Sequence, residues 1–432
     1  MIKVAMIGAG SCVFAKNLIG DILNFPDLQE TSFSLMDIDP ERLRVSEAMT
    51  QKIIRQRGAE GKATVKASAD RREALDGADF VVNMIQVGGF PATLIDFNVP
   101  EKYGLKATIA DTLGVGGIMR ALRTIPVVLD MCWDMEEVCP EALLMNYSNP
   151  MAMNCWAVAE ATAITTVGLC HGIRDTACKL ANYMGVPTED VTYRVGGINH
   201  MAWFVELKYK GEDAYPRLWN AMEDPEVWKK DAVRFELMKR VGYFMTESSE
   251  HTAEYLPYFI QHEELIPKLD IPIREYVRRC EKLLGSFDNM KKLVAGDEEI
   301  PLKPSHEYCS EIIHSIVTDT PRVVNANVPN AGLIPNLLEG CCVEVPCLVN
   351  GNGVQPTNFG YLPPQCAALD RTNINVQELA VLAALENSRE HVYHAAMLDP
   401  HTSSVLDMDQ IVAMCDEMIE EHTKKGYMPE LD

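Results

Sequence analysis

The chain has 432 residues, and its 62 acidic and 39 basic side chains give a formal net charge of -23. This charge repels phosphate backbones and anionic lipid, so we expect neither a nucleic acid nor a membrane surface as a partner. We find no apolar run long enough to cross a bilayer, and the thirteen cysteines lack the spacing of a small disulfide-bonded secreted domain. The sequence therefore predicts a cytoplasmic protein with reduced thiols.

The first part of the chain alternates short apolar runs with helical patterns, which is typical of βαβ units and a parallel sheet. We predict an α/β fold: an N-terminal Rossmann-like doubly wound sheet in residues 1–170, which binds NAD, and a C-terminal α+β catalytic domain in residues 171–432, which binds metal and substrate. The predicted strands are Ile2–Ile7, Phe33–Asp37, Phe80–Ile85, Leu143–Tyr147 and Thr165–Leu169. The predicted helices include Pro40–Arg57, Met119–Met135 with a bend at Pro126, Pro225–Met245 and Asn375–Arg389.

A glycine-rich turn, Gly8-Ala9-Gly10-Ser11, follows the first predicted strand. Such a turn lets backbone N–H groups approach a pyrophosphate at a helix N-terminus. Val13 replaces the third glycine of the dinucleotide fingerprint, so the motif alone also fits an ordinary strand-to-helix turn. Asp37, at the end of the second strand, favours the dinucleotide interpretation because a carboxylate there accepts hydrogen bonds from the adenosine ribose. It would also repel a 2′-phosphate, which favours NAD over NADP.

Two further strand ends carry polar side chains that we expect at the same crevice. Gln86 follows the third predicted strand, and Asn146 lies at the end of the fourth. Since the carboxyl ends of strands in a doubly wound sheet converge on the ligand, both residues are candidates for cofactor binding.

Cys170 and His200 are candidate metal ligands on two different loops, 30 positions apart. A thiolate and an imidazole would supply half of a divalent-metal site. A buried free cysteine and a hydrogen-bonded core histidine would explain the same two residues, and they are commoner. A third polar segment, residues 247–258, combines acids, a histidine and two tyrosines, which also fits a helix start with packing aromatics.

Together these motifs resemble glycoside hydrolase family 4, whose members use NAD and a divalent metal, usually manganese. Two segments, residues 116–126 and 340–345, resemble the α-galactosidases of that family, whereas Cys170-His171-Gly172 resembles its α-glucuronidases. The stretches that carry the family resemblance are Gly8–Ser11, Leu35–Asp39, Ile109–Gly114, Asn146–Met151, Cys170–His171, Gly197–Met201, Thr246–His251 and His394–Thr402.

The resemblance implies hydrolysis by transient oxidation, an exception to the two-carboxylate rule for glycosidases. NAD takes a hydride from sugar C3, the C2 proton is then removed, the C1 oxygen leaves, and water addition and hydride return complete the cycle. By the same resemblance Tyr255 is the base at C2 and His171 protonates the departing oxygen. The metal ligands are then Cys170 and His200, and the sugar-binding residues are Asn149, Asp111 and Asn199.

The expected substrate is an unphosphorylated α-galactoside, and an α-glucuronide comes next because Gly172 is expected to leave room beside His171. By the family's habit we expect a homodimer or homotetramer. Two other functions share the cofactor half. A hydroxyacid dehydrogenase of the malate or lactate type would form NADH in net amounts, and a non-catalytic NAD sensor would act on no glycoside.

Overall fold

The structure is a computed structural model that describes residues 1–432. The twelve strands, β1 to β12 in chain order, are Ile2–Ile7, Thr31–Met36, Thr64–Ser68, Phe80–Asn83, Leu143–Asn146, Thr166–Gly168, Val191–Ile198, Met201–Tyr209, Glu212–Asp213, Arg322–Pro329, Cys342–Asn350 and Gly353–Pro356. The α-helices, α1 to α18, are Cys12–Ile22, Pro40–Gln56, Arg71–Leu75, Gly89–Lys102, Gly114–Val138, Met151–Ala161, Gly172–Met184, Tyr215–Ala221, Pro225–Trp228, Ala232–Val241, Ser249–Tyr255, Leu265–Lys268, Glu275–Ala295, Cys309–Thr318, Pro364–Leu385, Arg389–Leu398, Pro400–Ser403 and Met408–Lys424.

Six parallel strands in the order β3-β2-β1-β4-β5-β6 form the first part of the sheet. The α/β prediction is confirmed, and each of the five predicted strands is present with ends that shift by at most two residues. The prediction omitted β3, an edge strand whose side chains are exposed or half-buried. An edge strand needs no continuous apolar run, so β3 gave no hydrophobic signal.

The second half of the chain extends the same sheet with antiparallel strands. Strand β10 pairs with β6 through Asn327 and Gly168, and β11 joins β10 to the β7–β8 hairpin, with Glu344 opposite Gly197. This order brings the carboxyl end of β6 close to the hairpin. The segment after β6 and the turn of the hairpin therefore approach one another.

Three predicted helices have different bounds in the structure. Helix α5 is longer than expected and continues through Pro126. The predicted helix Pro225–Met245 is wrong as a single element, because α9 ends at Trp228 and a separate helix, α10, ends at Val241. The next residue, Gly242, stops α10 with a positive φ of 88°. The predicted helix Asn375–Arg389 belongs to α15, which ends at Leu385, and Ser388 caps the next helix.

The largest hydrophobic core contains residues from both halves of the chain, including Val4, Val82, Leu144 and Val343, all fully buried. A smaller core lies between α7, α8, α10 and the β7–β8 hairpin, around Phe204 and Phe235. None of the helices has the length and apolar character needed to cross a membrane.

Candidate active site

The turn between β1 and α1 has the shape that a bound pyrophosphate requires. Gly8 adopts a φ of 84°, and a Cβ there would lie 2.9 Å from the backbone nitrogen of Ile85. A Cβ on Gly10 would lie 2.5 Å from the Asp37 carboxylate. Both positions therefore require glycine, and the backbone can approach a ligand closely.

Asp37 is held by the same turn. One carboxylate oxygen accepts a hydrogen bond from the Gly10 N–H at 2.7 Å, and the other accepts from the Asp39 N–H at 2.9 Å. Each oxygen keeps a second lone pair that can accept from a ribose hydroxyl. The predicted turn and its acid are thus brought together in one constellation.

A cleft of about 710 Å³ opens above this turn, and Ser11, Asp37 and Gln86 contribute to its lining. The Gln86 amide also donates to Thr93 at 3.3 Å. Asn146 is placed differently, since it is 2% exposed and accepts from the Asn83 amide at 2.9 Å. Its own amide donates to the Ser148 carbonyl at 3.0 Å, so Asn146 stabilises the turn that follows β5.

Cys170 and His200 lie next to each other, as the metal interpretation requires. The Cys170 Sγ is 3.4 Å from His200 Nε2. His200 is the second residue of the two-residue turn between β7 and β8, where its φ of 63° is rare for a residue with a side chain. The strained turn aims the imidazole at the end of β6, and strain of this kind is typical of functional sites.

Two further groups join this centre. Asp111, His200 and His251 each present a ligand atom, and these atoms lie within 4.8 Å of one another. Asp111 was predicted as a sugar-binding residue, and His251 was not singled out. The available signal for His251 was its spacing, because it lies four residues before Tyr255 and so on the same face of α11.

Helix α11 also positions the loop that carries Asp111. The Glu254 carboxylate, 4% exposed, accepts from the N–H groups of Thr108, Ile109 and Ala110 at 3.0 to 3.1 Å and from the Thr108 hydroxyl at 3.0 Å. Ala110 has a φ of 52° on this loop. A single buried carboxylate thus fixes the backbone just before Asp111.

Burial and neighbouring charges shift the pKa values of this centre in different directions. Burial would lower the pKa of His251, but the Glu247 and Asp111 carboxylates outweigh it and raise that pKa to about 9. Burial and the neighbouring His251 lower the pKa of His200 to about 4, so its imidazole is neutral near pH 7. Burial also raises the pKa of the Cys170 thiol well above its ordinary value, and the Glu344 and Glu247 carboxylates add to this.

Tyr255 lies at the edge of this centre, fully buried, with its hydroxyl 3.4 Å from His200 Nδ1. Burial raises the pKa of Tyr255 well above its ordinary value, and Glu254 and Asp111 raise it further. Ionisation of this phenol therefore needs a positive charge beside it.

His171 lies at the start of α7, and its Nδ1 is 2.8 Å from a Glu307 carboxylate oxygen. This hydrogen bond overcomes the effect of burial and raises the pKa of His171 to about 9. The imidazole is therefore protonated near pH 7 and has a proton to donate.

Gly172 does not leave open space, contrary to the expectation from the sequence. A Cβ at this position would lie 2.5 Å from Glu247 Cγ and 3.3 Å from Cys170 Sγ. The space beside His171 is filled by Glu247, which comes from the segment before α11. The glycine therefore accommodates the Glu247 side chain and leaves no free space for a substrate group.

Several buried polar atoms around the centre have no hydrogen-bonding partner in the protein, and such atoms call for an explanation. Asn149 donates to Asp111 at 3.2 Å, but its own carbonyl oxygen has no partner. Neither amide atom of Asn199, which is fully buried, has one. One carboxylate oxygen each of Glu307 and Glu344 is also unpaired. A polyhydroxylated ligand would satisfy such a set.

The fold and the site define an enzyme with a Rossmann-type sheet. The ends of its strands carry a glycine turn of the nucleotide-binding kind and a cluster of side chains that could bind a cation. The chain belongs to glycoside hydrolase family 4. The family's sequence models match twice: "Family 4 glycosyl hydrolase" over residues 3–186, and "Family 4 glycosyl hydrolase C-terminal domain" over residues 195–402.

Three known proteins illustrate the range of its relatives. The chain is 46% identical to an α-galactosidase of Bacillus subtilis (strain 168), over the full length of both. It is 30% identical to an α-galacturonidase of Thermoanaerobacterium saccharolyticum, with 98% of this chain and 96% of the relative covered. It shares its fold with a 6-phospho-α-glucosidase from gut microorganisms, solved with NAD and Mn²⁺, at a TM-score of 0.83, 21% identity and full coverage of both chains.

Proposed function

We propose that this protein hydrolyses α-galactosides with the help of NAD and a divalent metal ion, by oxidation at C3, elimination across C1–C2, water addition and re-reduction. The observation that carries the proposal is that His200 lies 3.4 Å from both the Cys170 thiol and the Tyr255 hydroxyl and within 4.8 Å of an Asp111 carboxylate oxygen. The identity of 46% to an α-galactosidase over the full length supports the choice of substrate.

The residues at the glycine turn fit NAD. Gly8 and Gly10 leave no room for side chains between the turn and its surroundings, and Asp37 keeps lone pairs free for ribose hydroxyls. We assign Gly8, Gly10, Ser11, Asp37 and Gln86 to this ligand, and we retain Asn146 as a residue that shapes the crevice. NAD, when bound, supplies the site with a reversible hydride acceptor.

The donor set at the centre fits a divalent cation of the manganese or zinc type. Such ions accept imidazole, carboxylate and thiolate ligands. The ligand atoms of Asp111, His200 and His251 lie within 4.8 Å of one another, and the Cys170 Sγ lies 3.4 Å from His200 Nε2. Asn149 donates to the Asp111 carboxylate and so helps to hold it. We therefore retain Cys170 and His200 as ligands, and we add His251 and Asp111 as candidates. A bound cation would supply Lewis-acid stabilisation for negative charge on sugar oxygens.

Tyr255 is the proposed base that removes the C2 proton. Its hydroxyl lies in the dry centre of the site, where a neighbouring positive charge would lower its pKa toward neutral pH. His171 is the proposed acid for the departing oxygen, because Glu307 keeps its imidazole protonated. Asn149 and Asn199, with their unpaired amide atoms, are proposed to bind sugar hydroxyls.

The filled space at Gly172 removes the observation that favoured an α-glucuronide. Glu247 occupies the position where the sequence suggested room for a C6 carboxylate. The nearby Arg174 is already paired with Glu311 at 2.8 Å. This argument supports galactosides, even though the relatives include α-galacturonidases.

A panel of 4-nitrophenyl glycosides tests the substrate. The α-galactoside is expected to be cleaved with NAD and Mn²⁺ present, and the α-glucuronide, α-galacturonide and β-galactoside serve as comparisons. Cleavage of a uronide but not of the α-galactoside would contradict the proposal. Net accumulation of NADH with a hydroxyacid would favour a dehydrogenase instead.

Turnover in heavy water tests the reaction path. The proposed elimination breaks the C2–H bond, so the released sugar is expected to carry deuterium at C2. Direct displacement at C1 never breaks that bond, so a product without deuterium at C2 would rule the path out.

We further propose that the enzyme is cytoplasmic and assembles as a homodimer or homotetramer. The thirteen free cysteines, most of them buried, support a reducing compartment. Gel filtration with light scattering checks the assembly, and a monomeric mass at micromolar concentration would contradict it.

A further inference from the structure

Four of the thirteen large hydrophobic side chains that are exposed in this protein line one cleft, the one above the glycine turn. Val13 and Ile38 lie on the Rossmann side of that cleft, 37% and 89% exposed. Leu283 and Leu284 come from α13, in the second half of the chain, and are 55% and 50% exposed. Exposed apolar side chains that gather in one cleft are typical of a ligand site.

The α13 side of the cleft is a regular helical stripe. Cys280, Leu283, Leu284 and Phe287 all contribute to the lining, at the spacing i, i+3, i+4 and i+7 that places them on one helix face. Cys280 is buried and Phe287 is half-buried, but the two leucines between them face the cleft without a protein partner that covers them.

This helix is fixed in position at both ends of the stripe. At its start, the Arg274 N–H donates to the Ala107 carbonyl at 2.9 Å, and the Tyr276 N–H donates to the Thr108 carbonyl at 3.0 Å. Further along, the guanidinium of Arg42 stacks 4.5 Å from the Phe287 ring centre and donates to the Gly10 carbonyl at 3.2 Å. The face of α13 is therefore a preformed wall, tied to the glycine turn itself.

We infer that Leu283 and Leu284 form the outer wall of the adenine site, opposite Ile38, so that the adenine ring of the dinucleotide lies between the two apolar surfaces. Asp37 sets the position, because the ribose that it binds carries the adenine, and Ile38 is the next residue. A flat aromatic ring with two apolar faces suits a slot of this kind better than a phosphate or a sugar does. The inference rests on the proposed use of NAD and extends it to a part of the chain outside the Rossmann-like half.

The test is the equilibrium binding of NAD to the purified full-length protein, measured by isothermal titration calorimetry without any glycoside. The variant Leu283→Ser/Leu284→Ser is expected to raise the Kd for NAD about tenfold, equivalent to about 1.4 kcal/mol. The matched control is Leu398→Ser, since that leucine is 51% exposed but lies away from the cleft. ADP-ribose, which keeps the adenosine half, is expected to lose the same factor in the double variant.

Each outcome is decisive. If wild-type protein binds NAD and the double variant binds it within twofold of wild type, the adenine wall is overturned while the proposed function stands. An equal loss in Leu398→Ser overturns it as well, because the effect would then be unspecific. If wild-type protein binds no NAD, both the wall and the proposed function fail. Because the replaced side chains are exposed, the variants are expected to keep the wild-type melting temperature, which differential scanning fluorimetry checks.

Discussion

Replacement of Glu254 by alanine should reveal how the Asp111 loop is held. The variant removes a carboxylate that is 4% exposed and accepts from three backbone N–H groups; the Thr108 hydroxyl keeps the Glu250 carbonyl as an acceptor at 2.8 Å. A buried donor left without a partner costs about 1–3 kcal/mol. With partial relaxation of the loop, we expect the free energy of unfolding to fall by about 3–5 kcal/mol. This is a large share of the roughly 5–15 kcal/mol typical of a folded protein.

The same variant should weaken the binding of Mn²⁺, because Asp111 lies just after the released backbone. Urea unfolding measures the stability, and calorimetric titration with MnCl₂ measures the Kd for the ion. Glu250→Gln is the control, since Glu250 lies on the same helix and its side chain makes only a partly exposed ion pair with Arg279 at 3.0 Å. A Glu254→Ala variant whose free energy of unfolding and Mn²⁺ affinity both equal those of wild type would refute the reasoning.

Three further predictions concern single side chains. Tyr255→Phe is expected to lower kcat by about 10² to 10⁴ and to abolish C2 exchange in heavy water, with an unchanged Kd for NAD; full activity would assign the base elsewhere. Cys170→Ser is expected to raise the Kd for Mn²⁺ at least about tenfold, because a hydroxyl replaces a thiolate; unchanged titration curves would return Cys170 to a packing role. Burial raises the pKa of Glu344 to about 8, so as the pH rises Glu344 loses its proton in the unfolded chain before it does so in the folded protein. The free energy of unfolding should therefore fall by up to about 1.4 kcal/mol per pH unit between about pH 5 and 8. Glu344→Gln should flatten this slope, and equal urea midpoint shifts in both proteins would contradict the assignment.

The nucleotide half could be predicted from the sequence because its signals are local. The turn between β1 and α1 contains Gly8 and Gly10, and Asp37 follows the end of β2. Each of these features can be recognised in a short segment of sequence. The apolar runs of parallel strands are buried on both faces, so their positions are also visible in a single sequence. What failed was the edge strand β3 and the division between α9 and α10, where exposure and a glycine decide the structure.

The candidate cation site could be predicted only in part, because the fold assembles it from distant segments. The pairing of Cys170 with His200 depends on β6 and the β7–β8 hairpin being joined through β10 and β11, which no local pattern encodes. His251 belongs to a segment that resembles the family, but its contact with Asp111 and His200 depends on how α11 packs against two other loops. The space beside Gly172 was misjudged for the same reason, because Glu247, 75 positions away, fills it.

At His200 the requirements of stability and of chemistry differ. The left-handed backbone conformation there favours glycine, whereas the proposed chemistry requires the imidazole. A residue with a side chain at a φ of 63° is strained by about 1–3 kcal/mol, and glycine or asparagine would relieve most of it. His200→Gly would therefore favour the hairpin backbone while removing the imidazole that faces both Cys170 and Tyr255. If variants were selected for thermal stability alone and not for activity, histidine would be replaced at this turn. The selected proteins would be more stable but inactive.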